Sequence, residues 1–234
     1  MVLPVAAIEQ HGPHLPVYTD TLLCETVVRM AVERADLEQQ LLVAPTLCYG
    51  NSHHHLPFPG VLSLTSDTYM ATLTQLLEGL VRSGFRRLAV VNGHGGNTSP
   101  NDVVAMDLVY RYGHDVSVAT GAYWDIAQRA LTQSGLLEGA VIPGHAGKFE
   151  TALVLAIRPD TVQVKKLRRL RSAAGQGRGL NVPLHGGRVQ IHGVWASGPG
   201  YTDSPAEATA DEGHSYLERI VESVAEFLIA FHRQ

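Results

Sequence analysis

VLPVAAI (residues 2–8) decides the fold, because this near-continuous apolar run leads directly into Glu9 and His11. Such a run is typical of a strand that is buried on both faces, as the strands of parallel sheets are. Short apolar runs recur along the chain between stretches of helical spacing, which favours βα units. We therefore predict an α/β fold with a mainly parallel sheet, whose further strands lie at 41–47, 86–92 and 115–124.

Helical spacing and end signals predict helices between and after these strands. The segment Ser204-Pro205-Ala206-Glu207 has the pattern of a capping box that begins the last helix. Residues 158–200 are irregular and rich in glycine and arginine, so we expect a functional loop or an oligomer contact there. The predicted helices run from about 20 to 38, from 65 or 66 to 84, from about 100 to 113, from 147 to about 157 and from 204 to about 232.

The composition indicates a single soluble globular domain. Hydrophobic residues make up 45% of the 234 residues and charged residues 17%, with a formal net charge of -4. No basic face invites nucleic acid or an anionic membrane. Cys24 and Cys48 form no disulfide framework. The first residues lack the pattern of a signal peptide or a membrane span, so we expect neither export nor membrane insertion. A cytoplasmic location is the resulting expectation.

Polar and aromatic residues follow the predicted strands at the same end. Glu9 and His11 come after the first strand, His53 to His55 after the second and His94 after the third, while Trp124 ends the fourth. Ligands of open parallel sheets bind outside the carboxyl ends of the strands. We therefore expect one site at this edge of the sheet, with one of the three consecutive histidines in it.

The segment PVAAIEQHGPHLPVYTD (4–20) contains candidate metal ligands. Glu9 and His11 are two residues apart, so their side chains point the same way in an extended chain. Gly12 and the prolines around it favour a turn that brings Asp20 back towards them. Carboxylates and imidazoles suit zinc, manganese and iron alike. The alternative is that Asp20 merely stabilises a helix N-terminus.

Two further segments complete the set of candidates. In VVNGHGGNTSP (90–100) the glycines let His94 project beyond the strand, and Asn92 and Asn97 can pin the loop. A phosphate cradle is the alternative, although neither glycine-rich nucleotide motif is present. In PGHAGKFET (143–151) His145 and Glu150 enter a helix and offer a catalytic group and a further ligand.

Together these segments resemble the creatininase (creatinine amidohydrolase) family, on the motifs EQHGPHLP with TD, GNSHHHLPFPG, NGHGGN and HAGKFET. The similarity runs from about residue 3 to 160, with a weaker echo in GVWASGP and the closing helix. It implies a three-layer α/β/α sandwich, with residues 1–234 as one metallohydrolase domain. It also implies two divalent metal ions per chain (zinc, manganese or iron) and a homo-oligomer, often hexameric.

The resemblance also implies roles for individual residues. Glu9, His11, Asp20 and His94 are the expected metal ligands, with Asp20 as the bridge. His145 is the expected proton shuttle. The substrate contacts are assigned to His55, Asn92, Tyr123 and Trp124.

Two positions depart from the family pattern. Creatininase has a glutamate where this chain has Gly96, so Glu150 is our candidate for the fifth ligand and a second catalytic group. Creatininase has a tryptophan where this chain has Val141, which argues against creatinine itself as the substrate.

The expected function is a hydrolase in which metal-activated hydroxide attacks the carbonyl of an amide-like C–N bond in a small molecule. Within the same fold the alternatives are an N-formyl hydrolase, a short-peptide peptidase, or a hydrolase of a cyclic ketone or lactone. A different class is a non-catalytic protein that binds a metal or a small molecule. A scaffold that recruits partners through residues 168–188 is a further alternative.

Overall fold

A computed structural model describes residues 1–35, 41–137, 139–173, 183–184, 187–188 and 190–234. Its main sheet has three parallel strands in the order β1-β2-β3. A separate antiparallel pair, β4 and β5, lies in the segment that was expected to be irregular. The strands are β1 (Val2–Val5), β2 (Arg87–Asn92), β3 (Ser117–Ala122), β4 (Pro183–Leu184) and β5 (Gly187–Arg188).

Seven α-helices are described around this sheet. Most of them lie where helical spacing predicted them, and Thr65 caps the second helix by accepting a hydrogen bond from the Thr68 amide. The predicted end of the first helix, at residue 38, lies outside the described residues. The helices are α1 (Thr19–Ala35), α2 (Ser66–Arg82), α3 (Thr98–Met106), α4 (Tyr123–Gln133), α5 (Lys148–Ile157), α6 (Val164–Leu167) and α7 (Ala210–His232).

The sheet separates two apolar clusters, which makes the fold three-layered. Along β2, Ala89 and Val91 pack with α1, α4, α5 and α7, while Leu88 and Val90 pack with α2 and α3. Successive side chains of a strand point to opposite faces, so an apolar run is buried on both sides. This confirms the predicted α/β fold with helices around a parallel sheet. The assignment of the whole chain to one domain stays a prediction.

The segment 41–47 follows the sheet edge without forming a continuous strand. Val43 and Leu47 make isolated parallel bridges to Val2 and Val5. Between them lies Pro45, which has no N–H to donate to a ladder. The prediction of a full strand here was wrong for this reason. Residues 41–47 nevertheless lie along one side of β1, and β2 lies along the other. The order of the strands across the sheet therefore reverses between β1 and β2.

Two predicted boundaries also need correction. The fourth predicted strand ends at Ala122, so Tyr123 and Trp124 belong to the first turn of α4. The predicted capping box at Ser204 and Glu207 is wrong, because Ser204 precedes a short 3₁₀ turn that ends at Glu207 and its side chain makes no capping hydrogen bond. The capping box that begins α7 is made five residues later by Thr209 and Glu212, which have the same Thr-x-x-Glu spacing.

Within the described part of the chain, no helix is both long and apolar enough to cross a bilayer.

Candidate metal centre

The candidate ligands meet at the carboxyl ends of β1 and β2. Glu9 and His11 follow β1, His94 follows β2, and Asp20 lies in the first turn of α1. Glu150 comes from the first turn of α5. This is the edge at which the chain reverses its direction across the sheet, where open α/β sheets bind their ligands. The structure therefore brings together all five residues that were predicted as ligands.

These five residues form two groups that share Asp20. One group is Glu9, Asp20 and His94, and the other is His11, Asp20 and Glu150. Within each group the potential ligand atoms lie within 4.8 Å of one another. All five side chains are buried. A carboxylate that belongs to both groups can bridge two cations, as it does in two-metal sites.

Backbone carbonyls orient both imidazoles of the centre. The Nδ1 atom of His11 lies 3.2 Å from the Glu9 carbonyl, and the Nε2 atom of His94 lies 2.9 Å from the Asn51 carbonyl. An N–H at each of these atoms leaves the other ring nitrogen to bind a cation once its own proton is displaced. Those ring nitrogens face Asp20, with His11 Nε2 2.9 Å from Oδ1 and His94 Nδ1 3.0 Å from Oδ2. A second hydrogen bond of this kind is what fixes a metal-binding histidine.

The centre fits divalent cations better than a network of hydrogen bonds. Among the described residues, His11 Nε2 and Asp20 Oδ2 are buried without a well-formed hydrogen bond, although each lies close to an oppositely polarised atom. Buried polar atoms are rarely left unsatisfied in folded proteins. Nitrogen and carboxylate oxygen atoms without thiolate suit zinc, manganese and iron. The residues present therefore fit two such ions.

Burial and neighbouring charges shift the pKa values of these groups in the metal-free chain. Burial disfavours the charged form of His11, but the nearby carboxylates, Asp20 foremost, outweigh it and raise the pKa to about 10. The pKa of His94 is also raised, because Glu9 and Asp20 outweigh its burial. Burial raises the pKa of Glu150 to about 7, although His11 acts against this shift. Cations would have to displace protons from these groups on binding.

His145 lies beside the centre and is held by Gln10. Its Nδ1 is 3.5 Å from Glu9 Oε1, and its Nε2 is 2.8 Å from the Gln10 carbonyl and 2.9 Å from the Gln10 side-chain nitrogen. Burial first, and then His55 and His11, lower the pKa of His145. The imidazole is therefore neutral. Its Nε2 atom can pair either with the Gln10 side-chain amide as donor or with the Gln10 carbonyl as acceptor.

The loop that carries His145 is clamped by Thr202 and Asp203. The His145 amide donates to Thr202 Oγ1 at 2.9 Å, and the Thr202 amide donates back to the His145 carbonyl at 2.8 Å. The carboxylate of Asp203 accepts from the Lys148 amide at 2.6 Å and from the Val141 amide at 3.3 Å. These bonds fix both ends of the loop, so His145 is positioned by backbone contacts.

The structure explains why a glycine stands at position 96. A Cβ atom at this position would lie 2.1 Å from the Asn51 carbonyl oxygen and 2.6 Å from His94 Nε2. The carbonyl that orients His94 therefore occupies the place that a side chain would need. The glutamate of the creatininase pattern has no counterpart here, and Glu150 supplies the fifth candidate ligand.

The residues predicted to contact the substrate lie in different surroundings. His55 is buried, with Nε2 3.6 Å from Glu9 Oε1, and its ring stacks on His145 at 4.1 Å. Asn92 pins the His94 loop, as predicted, by donating to the His94 carbonyl at 2.7 Å and accepting from its amide at 3.0 Å. Tyr123 and Trp124 pack edge to face within the apolar core, with Trp124 only 5% exposed. Contact with a substrate stays a prediction for all four.

Three residues near the centre were not singled out from the sequence. The Gln10 side chain links His55 and His145, and the Ser52 hydroxyl donates to Glu9. The Trp195 indole contacts the rings of His55 and His145. Gln10 and Trp195 stand in segments that carry the family resemblance, EQHGPHLP and GVWASGP, and this was the signal available for them.

Comparisons with known proteins agree with this geometry. Residues 1–228 match the family described as Creatininase, creatinine amidohydrolase. The creatinine amidohydrolase of Pseudomonas putida is 30% identical, over 97% of this chain and 87% of its own length. The mycofactocin precursor peptide peptidase of Mycobacterium tuberculosis is 32% identical, over 95% of this chain and 81% of its own length.

A solved structure of a creatininase mutant of the Zn-Zn type is similar over 97% of this chain and 88% of that chain, with a TM-score of 0.78 and 29% identity. The similarity thus extends through nearly the whole fold. The chain belongs to the creatininase family, whose members are amidohydrolases.

Proposed function

We propose that this creatininase-family hydrolase cleaves a C–N bond of an amide-like small molecule with two divalent cations (zinc, manganese or iron). The observation that carries the proposal is the position of Asp20 in two groups of buried ligands, with the neutral His145 close to one of them. A pure binding protein would not require a proton-carrying side chain at the edge of such a centre.

The chain's own residues divide the work of the reaction. Glu9, Asp20 and His94 would hold one cation, and His11, Asp20 and Glu150 the other. When bound, such cations lower the pKa of water towards about 7 and polarise a carbonyl oxygen. Burial of all five ligands excludes bulk water, which strengthens electrostatic interactions in the centre.

His145 would carry the proton to the leaving nitrogen. Gln10 holds one edge of its ring, so the Nδ1 edge is the one that faces Glu9 and the centre. The Gly12 amide donates to Gln10 Oε1 at 2.9 Å, which fixes the amide group of Gln10 that meets both His55 and His145. Proton transfer by a positioned side chain typically contributes about 10²–10⁴-fold to the rate.

The substrate class is a cyclic or N-formyl amide, and a short peptide is the second candidate. The peptide candidate is supported by the identity of 32% to a peptide peptidase, compared with 30% to creatinine amidohydrolase. Cyclic ketones and lactones would use the same polarised carbonyl. We also propose a homo-oligomer in the cytoplasm, supported by the family membership and by two cysteines that form no disulfide.

The test measures product release from cyclic amides, N-formyl amino acids and short peptides by protein loaded with zinc, manganese or iron. His145→Ala should keep its metal and lose at least about a hundredfold in rate. His114→Ala is the matched control, since His114 pairs with Glu78 on the other face of the sheet. Turnover of no substrate with any metal, or full activity of His145→Ala, would contradict the proposal.

A further inference from the structure

The indole of Trp195 lies against the histidines beside the candidate metal centre. Its ring centroid is 4.4 Å from that of His55 and 4.9 Å from that of His145, where the two planes are nearly perpendicular. His54 lies farther away, at 6.0 Å. Trp195 therefore covers two of the rings that border the centre, and any substrate that reaches His145 comes close to it.

The Trp195 indole N–H is unpaired within the part of the chain that the structure describes. Its Nε1 atom is shielded from solvent and has no hydrogen-bond acceptor among the described residues. Leaving a buried donor unpaired costs free energy, and indole N–H groups normally find an acceptor when they are buried. A donor left in this state beside a candidate active site is suited to an acceptor that arrives with the substrate.

The loop around Trp195 is organised well enough to hold the indole in place. Backbone hydrogen bonds close turns from Gly193 to Ser197 and from Trp195 to Gly198. The loop ends at Gly200, which packs so closely against Gln10 that a Cβ atom there would lie 2.6 Å from Gln10 Oε1. The residue that orients His145 thus also contacts the end of the Trp195 loop.

We propose that Trp195 is a substrate-binding residue whose N–H donates to an oxygen atom of the substrate other than the oxygen at the scissile bond. The substrate class is thereby narrowed to amides that carry a second oxygen acceptor, a carboxylate or a carbonyl. This inference rests on the proposed function for its site, but it concerns binding and can be tested without turnover.

The test compares two small probes that differ in this acceptor. N-formylglycine has a carboxylate next to its formamide, and N-methylformamide has none. Trp195→Phe keeps an aromatic ring against His55 and His145 and removes the N–H. In zinc-loaded protein, calorimetric titration should show that the variant binds N-formylglycine about tenfold more weakly than the wild type, which is typical of one lost hydrogen bond to a charged group. The affinity for N-methylformamide should be unchanged.

The wild-type protein provides a second measurement that does not depend on the folding of a variant. The chain has two tryptophans, so a ¹H–¹⁵N spectrum contains two indole signals, which Trp124→Phe or Trp195→Phe assigns. N-formylglycine should move the Trp195 indole proton downfield, and N-methylformamide should not.

Three results would overturn the proposal. They are equal affinity losses for both probes, an indole signal that N-formylglycine leaves in place, and no binding of N-formylglycine to the wild type at millimolar concentration. A downfield shift in a protein that hydrolyses none of the tested substrates would instead contradict the proposed function and leave the role of Trp195 in binding intact.

Discussion

Asp20 is the residue on which the centre depends most. It belongs both to the group Glu9, Asp20 and His94 and to the group His11, Asp20 and Glu150, and His11 and His94 approach its two oxygens at 2.9 and 3.0 Å. Loss of a terminal ligand affects one ion, whereas loss of a bridge affects both. The shared carboxylate thus predicts a difference between two alanine variants.

We expect His94→Ala to retain about one of two ions per chain and Asp20→Ala to retain almost none. Elemental analysis of protein purified without chelators measures this directly. Asp160→Ala is the control, because Asp160 is exposed and pairs only with Arg158 among the described residues. Equal metal contents in the Asp20 and His94 variants would show that Asp20 does not bridge.

Proton release is a second prediction at this scale. With pKa values raised to about 10 for His11 and above its usual range for His94, both imidazoles are protonated in the metal-free chain at pH 7.5. A cation must displace these protons, so we expect about two protons to be released per chain. Metal affinity should accordingly weaken as the pH falls, because acid stabilises the metal-free form.

Zinc titrations in two buffers of different ionisation enthalpy measure the number of protons released. Their difference in apparent enthalpy should vanish only if no proton leaves, which would contradict the charge states inferred for His11 and His94.

At the scale of the element, the turn after β2 illustrates how backbone and side chain compete for space. Gly96→Ala would place a Cβ atom 2.1 Å from the carbonyl that orients His94. We expect a destabilisation of about 1–3 kcal/mol from the forced backbone shift. The Gly96→Ala variant should also lose one metal ion per chain, because His94 would be displaced. Gly95→Ala is the matched control, since a Cβ there meets no atom of the described residues within 4 Å.

Urea denaturation with and without zinc measures both effects in each variant. If Gly96→Ala unfolds at the wild-type midpoint and keeps its metal, the contact with Asn51 does not determine the choice of glycine.

Local patterns predicted the elements well and their junctions less well. The apolar run before Glu9 predicted β1. The position of Glu9 and His11 after this strand agrees with the rule that sites form at the carboxyl ends of strands. The capping box of α7 was predicted five residues early, because Ser204 and Glu207 match the same pattern as Thr209 and Glu212. Which of two equal local signals is used depends on how α7 packs on α5, and this is a tertiary effect.

The candidate site was predictable where spacing or family resemblance applied. Glu9 and His11 share a side of an extended chain, and Glu150 was chosen to replace a ligand that Gly96 lacks. Spacing could not place Trp195, because it lies 140 residues from His55 and meets it only through the fold of an irregular segment. The segment GVWASGP, which resembles the family, was the signal for it.

At the scale of the whole molecule, α7 joins the layer of helices that carries half of the site. It packs against α1, which bears Asp20, and against α5, which bears Glu150. The crossing of α5 and α7 is so close at Gly213 that a Cβ atom there would lie 1.9 Å from the Ala152 carbonyl oxygen. A side chain at this point must separate the two helices.

We expect Gly213→Ala to destabilise the protein by about 1–3 kcal/mol or more, because a rigid backbone blocks the added methyl group. Gly79→Ala is the opposite case, since Gly79 lies in α2 and its Cβ position has no neighbour within 4 Å in the described part of the chain. It should stabilise the protein by about 0.5–1 kcal/mol through lower chain entropy in the unfolded state. Because α5 carries Glu150 and follows His145, Gly213→Ala should also weaken zinc binding, whereas Gly79→Ala should not. Urea midpoints and zinc titrations of the two variants would contradict this account if both glycines responded alike, since the separation of α5 from α7 would then have no effect on the centre.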